Sequence, residues 1–213
     1  MIGNFIIFGD SYSTHKDHIP AGYPTYYSSE GQGENKEATR MLPEETWWGR
    51  VAKEGKGTLL LNDSWSGSTI GYTGYAGDCS TSSSFIYRYL QLLEKGFFRE
   101  NRVDTVFVFG GTNDSWSNAP LGELQFADIT REDLFCVLPA ICYFMQRLKA
   151  DLPHCRVVFL SNCGIKPQIM EGMARAGENI GVSVVQLSKI DKVAGHPTSL
   201  GMEQICQQIL ENF

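Results

Sequence analysis

The feature that most constrains the fold of this chain is the alternation of short apolar runs with segments of helical periodicity. The run at 103–109 is nearly all apolar, as expected for a strand that is buried on both faces of a parallel sheet. Strands that alternate with helices are typical of βαβ units. The sequence therefore predicts an α/β protein with five parallel strands, in a single domain over residues 1–213. The predicted strands are 5–8, 58–61, 103–109, 156–160 and 182–187, and the predicted helices are 44–53, 84–98, 131–151 (with a kink expected at Pro139), 167–180 and 199–211.

The loops that follow the first three predicted strands are the long ones. Residues 15–43 are polar and aromatic-rich, residues 62–81 are rich in Ser, Gly, Trp and Tyr, and residues 110–130 form the third loop. Loops of this length in a small domain are often functional. Ligands of open α/β sheets bind outside the carboxyl ends of the strands, so the site is predicted where these loops meet.

Composition argues against several classes of function. The chain carries 18 Lys and Arg against 24 Asp and Glu, a net charge of −6, whereas binding to nucleic acid needs a basic face. The same charge disfavours an anionic membrane surface, and no window of eighteen uninterrupted apolar residues indicates a membrane span. Neither a nucleic acid nor a membrane is therefore expected as a partner, which leaves a small molecule as the expected ligand.

The cysteines and the N-terminus together predict a cytoplasmic protein. The six cysteines form no Cys-x-x-Cys pair and lie at no zinc-site spacing, so reduced thiols are predicted rather than disulfides or a metal site. Residues 1–5 run directly into the first strand, without the basic region and long apolar stretch of a signal peptide. A chain already trimmed of a leader would begin in the same way.

The segment Gly9-Asp10-Ser11 at the end of the first predicted strand is the first candidate for chemistry. A serine at this place projects from the carboxyl edge of the sheet. A helix that begins near it would supply free N–H groups and the positive end of a dipole, which suit an attacking oxygen and a developing oxyanion. The alternative is that Ser11 is only a helix N-cap.

Two further segments follow the second and third predicted strands. Gly67, within 62–68, allows the backbone to approach a ligand and direct its N–H towards it, although a simple glycine turn is the alternative. Asn113, within 110–114, can offer its side-chain amide to an oxyanion, and an Asx turn is its alternative.

A nucleophilic serine needs a nearby base, usually a histidine that a third group orients. His196, just before the last predicted helix, is the best placed of the four histidines. His15 and His18 lie in the first long loop, and His154 lies at the opposite end of the predicted sheet.

The sequence resembles the SGNH hydrolases, also called the GDSL lipase/esterase family. The resemblance rests on a serine, a glycine, an asparagine and a histidine in this order, and it extends from Gly9 to the last helix. The resemblance implies a three-layer α/β/α sandwich with a flavodoxin-like sheet. It implies that Ser11 is the nucleophile and His196 the base, and that Ser11 N–H, Gly67 and Asn113 form the oxyanion hole. The implied activity is hydrolysis of carboxylic esters through an acyl-enzyme, without metal or organic cofactor.

The sequence departs from the family at the aspartate that orients the histidine. The family usually has it three residues before the histidine, where this chain has Val193, and the nearest acid is Asp191. Two arrangements are open. In one, an insertion or a looser loop brings the carboxylate of Asp191 to His196 and completes a triad. In the other, a backbone carbonyl or water orients the imidazole, and the enzyme works as a Ser-His dyad.

Four loop aromatics are expected to flank the site, and their faces suit sugar rings or acyl chains, so a carbohydrate O-acetyl esterase is one expectation. They are Trp65, Tyr72, Tyr75 and Trp116. A non-catalytic binding module that kept the fold is an alternative, as is a flavodoxin-like binder of a nucleotide or flavin. The chain lacks the Gly-x-Ser-x-Gly elbow, the phosphate loop and the dinucleotide-binding glycine motif.

Overall fold

A five-stranded parallel sheet forms the middle layer of the protein, for which a computed structural model describes residues 1–213. Its strands lie in the order β2-β1-β5-β6-β7, the flavodoxin-like order, and two short antiparallel hairpins, β3-β4 and β8-β9, lie outside it. The strands are β1 (Gly3–Gly9), β2 (Gly57–Ser64), β3 (Thr73–Gly74), β4 (Gly77–Asp78), β5 (Thr105–Gly110), β6 (Arg156–Ser161), β7 (Ser183–Gln186), β8 (Lys192–Val193) and β9 (His196–Pro197).

Helices cover both faces of the sheet, which confirms the predicted α/β/α sandwich. Alternate residues of β1 enter two separate cores: Ile6 and Phe8 face one side, whereas Phe5 and Ile7 face the other. The helices are α1 (Lys36–Thr39), α2 (Trp47–Glu54), α3 (Phe85–Glu94), α4 (Phe97–Glu100), α5 (Thr112–Trp116), α6 (Val137–Asp151), α7 (Pro167–Ile180) and α8 (Ser199–Glu211).

Two predicted helices are shorter in the structure than in the sequence pattern. The helix predicted over 84–98 is interrupted at Gly96, which has a φ of 77° and separates α3 from α4. The helix predicted over 131–151 begins only at Val137, because Cys136 is extended. Pro139 therefore lies in the first turn, where its missing N–H breaks no helical bond, and the expected kink was wrong.

The register of the central strands aligns the ends that carry the site. Gly9, the last residue of β1, lies opposite Ser64 of β2 and Phe109 of β5. The loops after these three strands therefore start side by side at one edge. None of the helices combines the length and apolarity needed to cross a membrane.

Candidate active site

Ser11 lies in a tight turn directly after β1. Residues 11–13 form this turn and no helix begins there, so the expected helix N-terminus at Ser11 was wrong. The turn is held from below by the backbone carbonyl of Ser13, which accepts hydrogen bonds from Trp48 Nε1 at 2.9 Å and Asn62 Nδ2 at 2.8 Å. These buried contacts fix a nucleophile candidate that is itself only 3% exposed.

The structure places His196 against Ser11. Its Nε2 lies 3.0 Å from Ser11 Oγ, and its Nδ1 lies 3.1 Å from the backbone carbonyl oxygen of Ala194. If Nδ1 donates to that carbonyl, Nε2 is left as the acceptor for the serine hydroxyl proton. This is the geometry that a general base requires.

The β8-β9 hairpin presents His196 to the turn. Val193 pairs with His196, and the two residues between them, Ala194 and Gly195, both have positive φ (49° and 78°). Such a two-residue turn reverses the chain tightly and brings the carbonyl of Ala194 to the imidazole. The hydroxyl of Tyr12 donates to the carbonyl of Gly195, which ties the hairpin to the Ser11 turn.

The surroundings of His196 favour its neutral form. Burial lowers the pKa of the imidazole, the hydrogen bond to Ala194 opposes this, and the positive charge of Lys192 lowers the pKa further. The ammonium of Lys192 is held nearby by Asn162 Oδ1 and the carbonyl oxygen of Cys163, both at 2.9 Å. The lowered pKa favours the unprotonated imidazole, which is the form that can accept a proton.

Asp191 does not reach His196. Its carboxylate accepts from the hydroxyl of Thr198, and its backbone carbonyl accepts from the N–H of the same residue at 3.1 Å. The reason is the hairpin, because Asp191 precedes it and remains beside the N-terminus of α8. The carbonyl of Ala194, rather than the carboxylate of Asp191, faces Nδ1 of His196.

We expect Asp191→Asn to keep kcat/KM for ester hydrolysis within about twofold of the wild type. The amide oxygen can still accept from Thr198, and no contact to the imidazole is lost. An aspartate that orients a catalytic histidine would instead cost up to ~10⁴-fold. Steady-state kinetics of the purified variant measure this, and a loss above about a hundredfold would assign Asp191 to the base after all.

Three hydrogen-bond donors lie where the sequence predicts an oxyanion hole. The backbone N–H groups of Ser11 and Gly67 donate to no group of the protein. Gly67 has a φ of 86°, in the left-handed region, and a Cβ added there would meet no atom within 4 Å, so a ligand can approach the backbone closely at this residue. Asn113 uses Nδ2 once, to the carbonyl of Ser68 at 2.9 Å, which leaves its second amide hydrogen for a ligand.

Two fully buried carboxyl groups hold these loops together. Asp114 accepts from the N–H groups of Ile70 (3.1 Å) and Gly71 (3.3 Å), which fixes α5 and Asn113 against the Gly67 loop. Asp10 accepts from Tyr12 N–H at 3.0 Å within the Ser11 turn. Burial raises the pKa of Asp10 to about 7 and that of Asp114 to about 6.

Arg88, which the sequence analysis did not single out, joins three of the site's elements. It lies on α3 and is 2% exposed. Nη2 donates to the carbonyl of Gly9 and to Ser68 Oγ, both at 3.2 Å, and Nη1 lies 3.3 Å from Asp63 Oδ1 at the end of β2. The signal in the sequence was a lone charged residue among the apolar and aromatic residues at the start of the helix predicted over 84–98.

The aromatic residues form a rim with one exception. Tyr75 and Trp116 are 58% and 43% exposed, and the hydroxyl of Tyr75 donates to Asn113 Oδ1 at 3.1 Å. Trp65 packs on Tyr23 with ring centroids 4.4 Å apart. Tyr72, by contrast, is buried in the core, so the expectation that it flanks the site was wrong.

A serine in contact with a histidine at the carboxyl edge of a parallel sheet, beside free N–H donors, is the arrangement of the serine hydrolases. The family model of the GDSL-like lipases/acylhydrolases matches residues 4–213, and the chain belongs to this family. No curated protein matches the chain.

Solved structures agree with this assignment. A protein from Bacteroides uniformis assigned as a GDSL-like lipase is 38% identical, with a TM-score of 0.88 over 98% of this chain and 93% of its own. A second, from Bacteroides ovatus, is 32% identical, with a TM-score of 0.88 over 98% and 96%. An acetyl xylan esterase from Butyrivibrio proteoclasticus shares the fold, at 18% identity and a TM-score of 0.60 over 98% of this chain and 62% of its own.

Proposed function

We propose that the protein hydrolyses carboxylic esters through an acyl-enzyme on Ser11. The observation that carries the proposal is the 3.0 Å contact between His196 Nε2 and Ser11 Oγ. The unused N–H groups of Ser11 and Gly67 and the free amide hydrogen of Asn113 support it, because they supply an oxyanion hole.

The mechanism follows from these positions. His196 accepts the hydroxyl proton of Ser11 as Oγ attacks the ester carbonyl, and the N–H donors bind the resulting oxyanion. His196 then gives the proton to the leaving alcohol, which departs and leaves the acyl group on Ser11. Water attacks the acyl-enzyme in the same way, releases the acid and restores both residues. The carbonyl of Ala194, in place of a carboxylate, orients the imidazole, so the enzyme works as a Ser-His dyad.

Covalent labelling tests the proposal directly. A fluorophosphonate probe reacts with a serine only when a base and an oxyanion hole activate it. We expect one label per chain, located by mass spectrometry on the peptide that contains Ser11. Urea-unfolded protein is the control and should take no label. Failure of the folded protein to react would contradict the proposal and favour a binding module that kept the fold.

We propose an ester of a sugar, such as an acetylated carbohydrate, as the substrate class. The exposed rings of Tyr75 and Trp116 offer apolar faces beside Asn113 and His196, and such faces suit sugar rings. A cavity of about 440 Å³ adjoins His196 and has mostly polar walls, which suits a polyhydroxy alcohol better than an acyl chain. The polar part of its lining is Asn35, Glu37, Arg40, Thr198 and Ser199.

A substrate panel separates this class from lipids. We expect kcat/KM to be highest on acetylated sugars and to fall along p-nitrophenyl acetate, butyrate and octanoate, because the cavity of about 440 Å³ beside His196 is lined mainly by polar side chains. Initial rates at matched concentrations measure the order. A preference for the octanoate would reject the sugar ester while leaving the acyl-enzyme mechanism intact.

A further inference from the structure

The ring of Tyr26 lies flat against the imidazole of His196. Its ring and the imidazole of His196 are stacked, with centroids 3.6 Å apart and an interplanar angle of 7°. This is the shortest ring-to-ring distance in the protein, and it joins a residue of the first long loop to a residue of β9, far apart in the sequence.

Hydrogen bonds from the Ser11 turn and the hairpin hold Tyr26 in this position. Thr14 Oγ1 accepts from the N–H of Tyr26 at 2.9 Å and donates to the carbonyl of Ser11 at 3.1 Å. The next residue, Tyr27, donates its hydroxyl to the carbonyl of Pro197, beside His196, at 2.7 Å. The backbone of Tyr26 is thus bound to the segment that follows Ser11. Its neighbour Tyr27 is bound to the hairpin that carries His196.

The groups in direct contact with the imidazole of His196 are neutral. Nε2 contacts the hydroxyl of Ser11, and Nδ1 contacts the carbonyl of Ala194. The rings of Tyr12 and Trp116 lie farther away, with centroids 5.4 and 6.0 Å from that of the imidazole.

The positive charge of Lys192 disfavours a second positive charge nearby, and Glu37 and Arg40, one acid and one base, line the cavity beside His196. Neither ring nitrogen of His196 is hydrogen-bonded to a carboxylate, so no direct partner balances the imidazolium when His196 accepts the proton of Ser11.

We infer that Tyr26 is a positioning residue that substitutes for the missing carboxylate, holding the imidazole in plane and stabilising the imidazolium through its ring face. An aromatic face attracts a cation within about 6 Å of its centroid, and the separation here is well inside that limit. The inference rests on the proposed ester hydrolysis, because the charge on His196 arises in that reaction.

The interaction is measured by graded fluorination of the ring. Tyr26→Phe keeps the aromatic face, and replacement by mono-, di- and trifluorophenylalanine weakens its negative potential stepwise at nearly constant shape. We expect Tyr26→Phe to stay within about twofold of wild-type kcat. Each added fluorine should then lower kcat, and Tyr26→Leu should lose about 2- to 30-fold, with KM nearly unchanged.

The pKa of His196, followed by NMR of its ring protons, provides a readout that does not need substrate. We expect it to fall with each fluorine, since the charged imidazole loses a favourable partner while burial stays the same. The same substitutions at Tyr143, on α6 and packed against the core away from the site, are the matched control and should change neither kcat nor this pKa.

The outcomes distinguish the two proposals. A flat fluorination series for both kcat and the His196 pKa would overturn the role of Tyr26, even in an active enzyme. A loss confined to KM would do the same and make Tyr26 a substrate contact. If wild-type protein neither hydrolyses esters nor labels at Ser11, the proposed function fails, and the pKa series still decides whether the stack stabilises the imidazolium.

Discussion

Ser11→Ala is expected to lower kcat for ester hydrolysis by about 10⁶-fold, and His196→Ala to lower it nearly as much. The two residues act as one unit, because the hydroxyl is a weak nucleophile until Nε2, 3.0 Å away, accepts its proton. The double variant should therefore be no slower than either single variant. Independent effects would instead multiply to a loss far larger than any one of them.

The kcat values of the two single variants and the double variant are measured on p-nitrophenyl acetate, over hours and at high enzyme concentration. Ser183→Ala, an exposed serine at the start of β7, is the control and should retain full activity. The double variant should keep a residual acceleration on the order of 10³-fold over water, since the donors of Gly67 and Asn113 remain. A Ser11→Ala variant with more than about a tenth of wild-type kcat would reject the acyl-enzyme.

The strand order explains why so much of the site was visible in the sequence. Three parallel strands in the middle of the sheet end in register, so residues that directly follow them must meet, wherever they lie along the chain. Ser11, Gly67 and Asn113 each follow such a strand closely, so recognising the strand in the sequence is enough to place the residue. The fold class and the meeting of Ser11, Gly67 and Asn113 could be predicted for this reason, whereas His196, in the β8-β9 hairpin, was predicted from its place before the last helix.

The parts that sequence could not predict depend on backbone conformation or on contacts between distant residues. The orienting carbonyl of Ala194 requires a non-glycine residue at positive φ, which no residue pattern announces. Tyr26 belongs to a loop without periodicity, and its stack on His196 is a tertiary contact. The partners of Arg88 lie 25 and 79 residues away, at Asp63 and Gly9.

Arg88→Met is expected to reduce the free energy of unfolding by about 3–5 kcal/mol at neutral pH, a large part of the stability of a typical domain. The substitution leaves the carboxylate of Asp63 buried without its partner, and the carbonyl of Gly9 loses one of its donors. Urea denaturation of the variant measures the loss. Arg102→Met removes an arginine from a pair in which the arginine side chain is 88% exposed, and this control should cost less than about 1 kcal/mol.

The pH dependence of this loss identifies its cause. Burial already raises the pKa of Asp63, and Arg88 opposes that rise, so removing the arginine raises the pKa further. The folded variant then holds a proton that the unfolded chain has released, and its stability falls as the pH increases. The loss of stability relative to wild type should thus be larger at pH 8 than at pH 5.

Adding Asp63→Asn to Arg88→Met should recover more than half of the lost stability and remove most of its pH dependence, because the amide carries no charge to bury. If the double variant is no more stable than Arg88→Met, the cost lies in the lost bonds to Gly9 and Ser68 rather than in the unpaired carboxylate.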